Sequence, residues 1–214
     1  MTGFVAGLKA EFADGWRASI EHRFVNELLD GTISDAVMGR YLVQDHRFID
    51  AFVTLVGGAV ASADRFESRL RLGRFLGMVC SDENDYFLRS FTALGIGEER
   101  HEVPDVAPTA GFKALMIEAA ATRSYAAIMA VMNVAEGLYL DWAQRLGNRP
   151  MPQNFIHAEW ITLHDNPFFV DFVAFLREEL DRVGPQEPAV ARDFFKRAVD
   201  LELAFFDAAY EGDA

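Results

Sequence analysis

The sequence predicts an all-α protein, and two observations carry that prediction. Apolar residues recur at helical spacing along nearly the whole chain, and convincing strand-like alternation is absent. The breaks between the helical stretches are short and contain glycine, proline or capping residues. Long helices joined by short connections predict a compact multi-helix bundle. At 214 residues, we expect a single helical domain covering 1–214.

Each helical stretch is bounded by a cap, a glycine or a proline. The predicted helical ranges are 5–29, 34–61, 65–94, 109–147, a segment leading to His164, a segment from Pro167 to Gly184, and 189–210. Ser34 and Thr109 are the predicted N-caps of the second and fourth stretches. The glycine pair at 57–58 marks a tight helix contact, and the third stretch is expected to break near 81–82.

The charge balance excludes two classes of partner. The chain carries 33 acidic and 20 basic residues, a formal net charge of −13, and has no Lys/Arg-rich run. Such a surface repels both nucleic-acid phosphates and anionic membranes. The N-terminal residues do not resemble a secretory signal, and no run of roughly 18 apolar residues occurs. We therefore expect a protein without nucleic-acid or membrane partners.

Cysteine usage fits the cytoplasm. Cys80 is the only cysteine, which excludes an intramolecular disulfide and suits a reducing compartment. Its sequence neighbours include no His or Lys that would lower its pKa, so we expect a buried, inert thiol.

Three carboxylates interrupt apolar helical stripes. Each stripe is a row of apolar residues three or four positions apart, which share one face of a helix. Asp45, Glu136 and Glu202 each stand at a position in such a row where an apolar core residue is expected. The residues that continue these stripes on either side are Leu42 and Phe48 for the first acid, Met132 and Tyr139 for the second, and Val199 and Phe205 for the third.

A buried, unpaired carboxylate costs several kcal/mol, so such groups persist when paired, protonated or needed by a ligand. Taken singly, each acid is equally well explained as a core carboxylate held by a Tyr, an Arg or a backbone amide. Three acids on three helices, each beside aromatic residues, favour a shared polar pocket.

Other chemical motifs are weaker. Glu98-Glu-Arg-His101 has the Glu-x-x-His spacing of bundle di-iron sites, yet it falls in a charged loop and has no second copy. His46 lies about 100° from the stripe that contains Asp45, which favours a flanking role. Glycine-rich phosphate loops and the Gly-x-Ser-x-Gly elbow are absent. We therefore expect neither a metal nor an organic cofactor.

Four segments, in order along the chain, resemble signatures of the thiaminase II (TenA) family. They are Asp30-Gly-Thr-Ile-Ser with Tyr41-Leu-Val-Gln-Asp-His-Arg-Phe-Ile, then Ala135-Glu-Gly-Leu-Tyr-Leu-Asp-Trp, then Trp160-Ile-Thr-Leu-His with Phe168-Phe, and Leu201-Glu-Leu-Ala-Phe-Phe. The resemblance implies a haem-oxygenase-like helical bundle, usually a homotetramer. It also implies hydrolysis of aminopyrimidine fragments of thiamine for salvage.

The resemblance assigns roles to individual residues. Asp45 would hold the amino edge of the pyrimidine and Phe48 would pack on its ring, while Tyr139 and Glu202 would act at the reacting carbon. The further pocket positions that it implies are Phe205 and two positions commonly tyrosine in the family, Phe112 and His164.

One departure selects a branch of the family. One branch has a nucleophilic cysteine four residues before the tyrosine, where this chain has Ala135. The other branch lacks that cysteine and has a glutamate at the following position, where this chain has Glu136. The resemblance therefore favours hydrolysis of aminomethyl- or formylaminomethyl-pyrimidine over cleavage of thiamine, with Glu202 and Glu136 dividing the acid and base roles.

Two alternatives of other classes stay open. A helical oxidase could share this fold, either metal-dependent or cofactor-free, and stoichiometric iron in the purified protein would identify it. A non-catalytic pyrimidine-binding or regulatory protein would bind the same ligand without turnover. We expect a homo-oligomer, either a tetramer or a dimer, with a small pyrimidine as its ligand.

Overall fold

The computed structural model describes residues 3–211, with the exception of the side chain of His101. All regular structure in this range is helical, which confirms the all-α prediction. The helices are α1 (Phe4–Glu11), α2 (Ala13–Ile20), α3 (Arg23–Leu29), α4 (Asp35–Ser62), α5 (Phe66–Met78), α6 (Asn84–Leu94), α7 (Ala107–Thr122), α8 (Tyr125–Ala143), α9 (Phe155–His164), α10 (Pro167–Val183) and α11 (Pro188–Ala208).

Short helical turns of other pitch link some of these helices. A π-helical turn, Val79–Glu83, joins α5 to α6 close to the break that the sequence predicts. Turns of 3₁₀ helix occupy Glu98–His101, Gln144–Leu146 and Gly184–Gln186. None of the helices in the described range is long and apolar enough to cross a membrane.

Helix α8 is the axis of the bundle. All of its residues are buried except Ala135 and Asp141, which are partly exposed. It packs against α4, α7, α10 and α11, so its polar positions face neighbouring helices rather than water. A carboxylate on this helix must therefore be satisfied inside the bundle.

Helix α4 is the second central element. Ser34 caps it as predicted, since its hydroxyl accepts a hydrogen bond from the Val37 amide at 3.3 Å. Gly58 lets α4 approach α7 closely: a Cβ at this position would lie 3.2 Å from the Cβ of Ala120. The predicted tight helix contact is therefore present.

The N-terminal prediction of one helix over 5–29 is wrong. Three short helices occupy this stretch, and they are separated at Phe12 and at Glu21-His22. His22 has extended backbone, with ψ of 152°, and its ring nitrogen accepts from the Phe24 amide at 3.1 Å. This local capping competes with continuation of the helix, and spacing alone does not reveal it.

The predicted helix over 109–147 is also divided. Arg123 adopts a left-handed conformation, with φ of 56°, which ends α7. Ser124 then caps α8 through a 3.1 Å hydrogen bond from the Ala127 amide. Helix α7 begins at Ala107, with Pro108 in its first turn, so Thr109 is not its cap.

Cys80 is exposed, so the prediction of a buried thiol is wrong. It lies in the π-helical turn next to Val79, which is buried, and Ser81, which is exposed. The altered pitch changes which side chains face inward, and a regular 3.6-residue period cannot describe it.

A buried carboxylate at the far end of the bundle has a structural role. Glu179 accepts hydrogen bonds from the Ser68 hydroxyl at 2.8 Å and the Tyr125 hydroxyl at 2.7 Å. The Arg182 guanidinium donates to it at 2.8 Å and also binds Asp64. These bonds tie α5, α8 and α10 together.

We expect Glu179→Gln to lower the free energy of unfolding by about 2–3 kcal/mol, because the amide leaves buried donors unsatisfied. Urea denaturation measures the loss. The matched control is Glu11→Gln, which removes an exposed ion pair with Arg192 and should cost at most about 1 kcal/mol. Equal effects of the two substitutions would contradict a structural role for the buried network.

Candidate active site

A small chamber lies inside the bundle where α4, α6, α7, α8, α9, α11 and the π-helical turn meet. Its volume is about 50 Å³. Four carboxyl side chains line it, together with aromatic and apolar residues. The lining residues are Asp45, Phe48, Ile49, Phe52, Glu83, Phe87, Phe112, Met116, Ala135, Glu136, Tyr139, Trp160, His164 and Glu202.

The structure brings the three stripe acids together in this chamber. Asp45 comes from the middle of α4, Glu136 from α8 and Glu202 from α11, and they are 4%, 8% and 3% exposed. Each lies on the inward face of its helix because its apolar neighbours at helical spacing fill the core on both sides. Side chains far apart in the sequence therefore share one enclosed space.

The carboxyls in the chamber resist ionisation. Burial is the main cause that raises the pKa of Asp45, and the nearby Glu83 raises it further, while a hydrogen bond from Tyr41 opposes the shift. Burial also raises the pKa of Glu136, with added repulsion from Glu83 and Asp45. The pKa of Glu202 is raised by burial and then by Asp45 and Glu136. Raised pKa values let these carboxyls keep protons that exposed acids lose, so they can serve as proton donors.

Pairing with protein donors does not explain these acids. Within the described part of the chain, no side chain or amide donates a hydrogen bond to Glu136 or Glu202, and no Lys or Arg lines the chamber. The buried Oδ2 atom of Asp45 also lacks a partner. An unsatisfied buried acceptor aimed at a cavity is typical of a ligand site.

Two tyrosines link the acids to the aromatic wall. The hydroxyl oxygens of Tyr41 and Tyr139 lie 2.7 Å apart, in a buried hydrogen bond. Burial raises the pKa of both phenols, and neighbouring acids add to the shift. Tyr139 therefore stays protonated and can donate or relay a hydrogen bond at the chamber.

His164 supplies a neutral acceptor. Its Nδ1 lies 2.8 Å from the Trp160 carbonyl oxygen, and since a carbonyl only accepts, Nδ1 carries the proton. Burial lowers the pKa of His164 to about 4. The ring is consequently neutral near pH 7, and Nε2 is free of its proton.

The aromatic residues form a layered wall. Phe48 stacks with Phe112 at 5.9 Å between ring centroids and meets Phe205 edge-on at 5.5 Å. Phe205 lies behind Phe48 and contacts Tyr41 at 5.2 Å. It also lines a separate groove of about 450 Å³ on the other side. Phe205 thus supports the chamber wall, while Phe48 and Phe112 line the chamber itself.

The sequence interpretation missed one acid of the chamber, Glu83. The signal was present: Val79, Glu83 and Phe87 lie at four-residue spacing, so this acid too interrupts an apolar stripe. The residues of the chamber wall that were also not singled out are Ile49, Phe52, Phe87, Met116 and Trp160. His46 lies outside the chamber, with its Nε2 atom 3.2 Å from Asn84 Oδ1, which fits the flanking role.

No group of three or more His, Cys, Asp and Glu side chains within residues 3–211 is arranged to hold a metal ion. Glu98 of the Glu-x-x-His segment lies in a short 3₁₀ turn, and the side chain of His101 is outside the described part.

The chamber must widen to admit a ring. A cavity needs roughly 10–15 Å³ for each water, so about 50 Å³ holds a few waters and not an aminopyrimidine. Phe48, Ile49, Glu83 and Ala135 are partly exposed, which identifies the side where the chamber approaches solvent. A ligand would enter by displacing waters and turning these side chains.

Sequence comparison places the chain in a known group of proteins. Residues 10–212 match the model of the TENA/THI-4/PQQC family. A relative from Halalkalibacterium halodurans, named aminopyrimidine aminohydrolase, is 22% identical over 213 residues. That alignment covers 97% of this chain and 95% of the relative.

Solved structures share the fold. A TenA homologue from P. horikoshii has a TM-score of 0.89 at 17% identity and covers 99% of this chain and 100% of its own. A domain of unknown function from Shewanella denitrificans, with a heme oxygenase-like fold, has a TM-score of 0.69 at 14% identity, covering 97% and 92%. The expected haem-oxygenase-like bundle is therefore confirmed.

The raised pKa of Glu136 predicts a pH-dependent gain in stability for Glu136→Gln. The unfolded chain ionises this group near pH ~4.3, whereas the folded protein retains the proton to higher pH, so folding is penalised as pH rises through that window. We expect the variant to be about 1 kcal/mol more stable than the parent near pH ~8, and equally stable below pH ~4.

Thermal and urea unfolding across this pH range measure the difference. Glu118→Gln is the matched control, because hydrogen bonding to Arg197 lowers the pKa of this exposed acid and its loss should not stabilise the protein. If Glu136→Gln raised the free energy of unfolding by the same amount at every pH, the cause would be altered packing and not the titration of a buried carboxyl.

Proposed function

The chain belongs to the TENA/THI-4/PQQC family, and on that premise we propose that it is an aminopyrimidine hydrolase of thiamine salvage. It would convert an aminomethyl- or formylaminomethyl-pyrimidine to the hydroxymethyl-pyrimidine. The observation that carries the proposal is the largely buried chamber in which Asp45, Glu136 and Glu202 meet without a balancing cation. The name of the Halalkalibacterium halodurans relative supports the same reaction.

The reaction needs one carboxylate and one protonated carboxyl at the same carbon. The oxygen of a water forms a bond to the pyrimidine methylene carbon as the C–N bond breaks and its electron pair leaves with nitrogen. Glu202, as carboxylate, takes a proton from the attacking water, and Glu136, as acid, gives a proton to the leaving nitrogen. Mutual repulsion between neighbouring acids favours this shared-proton state over two full charges.

Several wall residues would hold the ring. Asp45 would accept from the exocyclic amine and from a ring N–H, which suits its unpartnered Oδ2 atom. Phe48 and Phe112, which stack on each other, would pack against the ring by aromatic contact, with Phe205 as their support. His164, as a neutral acceptor, and the Tyr139 hydroxyl would complete the polar contacts.

The residue at position 135 favours hydrolysis by water. Ala135 lines the chamber next to the reacting acids and offers no thiol. The one cysteine, Cys80, is exposed in the π-helical turn. A covalent thiol intermediate therefore has no nucleophile in the chamber, and we propose that thiamine itself is a poor substrate.

Assembly and compartment belong to the same proposal. We propose a homotetramer, or a dimer, in the cytoplasm, and a single domain that includes residues 1–214. The apolar groove lined by Val43, Ile96 and Val103 beside α4 is consistent with association between copies. Size-exclusion chromatography with light scattering measures the number of copies.

Product analysis tests the activity. We expect the purified protein to release hydroxymethyl-pyrimidine from aminomethyl- or formylaminomethyl-pyrimidine far faster than from thiamine. Mass spectrometry in ¹⁸O-labelled water should find the label in the new hydroxyl. Tight binding of the aminopyrimidines without any product would support the non-catalytic alternative.

We expect Glu202→Gln to lower kcat by at least about 100-fold, because the amide cannot take the proton of the attacking water. The fold should be retained, since the substitution removes a penalised buried acid. The matched control is Asp200→Asn on the same helix, an exposed residue paired with Lys196, which should keep near-full activity. Unchanged turnover by Glu202→Gln would remove Glu202 from the mechanism.

A further inference from the structure

Glu83 has no task in the hydrolysis described above, although it lines the chamber. It is the last residue of the π-helical turn Val79–Glu83. Its neighbours Ser81 and Asp82 are exposed, whereas Glu83 is only partly exposed because its carboxyl reaches the chamber. π-helical turns inside helices often occur at functional sites, since the extra residue redirects one side chain.

Charge balance in the chamber is one-sided. Asp45, Glu83, Glu136 and Glu202 contribute four carboxyls, and the lining residues include no Lys or Arg. His164 does not compensate them, because burial keeps its pKa at about 4. A bound cation is the partner that lets such a group of acids ionise at low cost.

Glu83 lies at the solvent end of the acids. It is the partly exposed one of the four, while the other three are at most 8% exposed. It raises the pKa of Asp45 and of Glu136, whereas the acids that act on Glu202 are Asp45 and Glu136. Glu83 is therefore the acid of the chamber that lies nearest to solvent.

We propose that Glu83 is the counter-anion of the substrate's aminomethyl group, and that it makes the chamber select a cationic amine over its neutral N-formyl derivative. This inference rests on the proposed function and narrows its substrate class. The aminomethyl group would occupy the end of the chamber where Glu83 approaches solvent.

The charges of the two candidate substrates explain the selection. A primary alkylamine is protonated near neutral pH, as the lysine side chain is, whereas a formamide nitrogen carries no charge. An ammonium group beside Glu83 stabilises the ionised form of this carboxyl, whereas Glu136 keeps the proton that it gives to the departing ammonia. Burial raises the pKa of Glu83 to about 7, so a nearby cation is sufficient to ionise it under ordinary conditions. The neutral formamide leaves the Glu83 carboxylate without a compensating charge.

The test compares kcat/KM for aminomethyl- and formylaminomethyl-pyrimidine in the full-length protein and in Glu83→Gln. We expect the parent to prefer the amine, and Glu83→Gln to lower kcat/KM for the amine by about 10- to 100-fold, mostly through KM. The formyl substrate should change by less than about threefold. The matched control is Asp82→Asn, which removes the adjacent exposed charge from the same turn and should leave both values unchanged.

Equal losses for both substrates, or an unchanged ratio, would overturn the selective role of Glu83. A parent protein that prefers the formyl substrate would overturn it as well. If neither substrate is turned over by the parent, the proposed hydrolysis fails, and the inference about Glu83 is then decided by binding alone.

Calorimetric binding gives this independent measurement, and it does not depend on the variant folding. The hydroxymethyl-pyrimidine has the same ring and a neutral group of similar size in place of the ammonium. We expect the parent to bind aminomethyl-pyrimidine at least about tenfold more tightly than the hydroxymethyl compound. Equal affinities would show that no carboxylate faces the amine.

Discussion

The site depends on one constraint: acids held in a space without a compensating cation. Asp45, Glu136 and Glu202 are nearly excluded from water, and their hydrogen bonds to the protein are few. Ionising all of them at once would cost several kcal/mol, so these acids retain protons. A group of this kind is costly for folding, and it is suited to moving protons at a carbon atom.

The bundle makes this arrangement tolerable. Helix α8 is buried along almost its whole length, and large aromatic residues, among them Trp142, Trp160 and Phe206, fill the space around the chamber. Tight contacts such as Gly58 against Ala120 fix how α4 crosses its neighbour. The Glu179 network has the opposite character: its acid is fully paired and its pKa is lowered, despite the opposing effect of burial. The contrast separates a structural carboxylate from those of the chamber.

The regular parts of the chain could be predicted from the sequence, because helical spacing dictates which face is buried. The same spacing singled out Asp45, Glu136 and Glu202, since an acid on the buried face of a helix breaks the row of apolar residues in the sequence. That they meet at one place depends on how α4, α8 and α11 cross, and spacing within one helix carries no information on this. Local features that end or start helices were missed, notably the left-handed backbone of Arg123 and the N-cap formed by the His22 side chain. Glu83 was also missed, although Val79 and Phe87 flank it at four-residue spacing in the sequence.

The most direct measurement is a carbon-13 NMR pH titration of the side-chain carboxyls in the ligand-free protein. Asp45→Asn, Glu83→Gln, Glu136→Gln and Glu202→Gln variants assign the signals of the chamber. We expect at least two of these carboxyls to keep their protons well above the usual carboxyl pKa of about 4. Titration of all four between about pH 3 and pH 5, as for exposed acids, would contradict the existence of a desolvated group of acids that retains its protons.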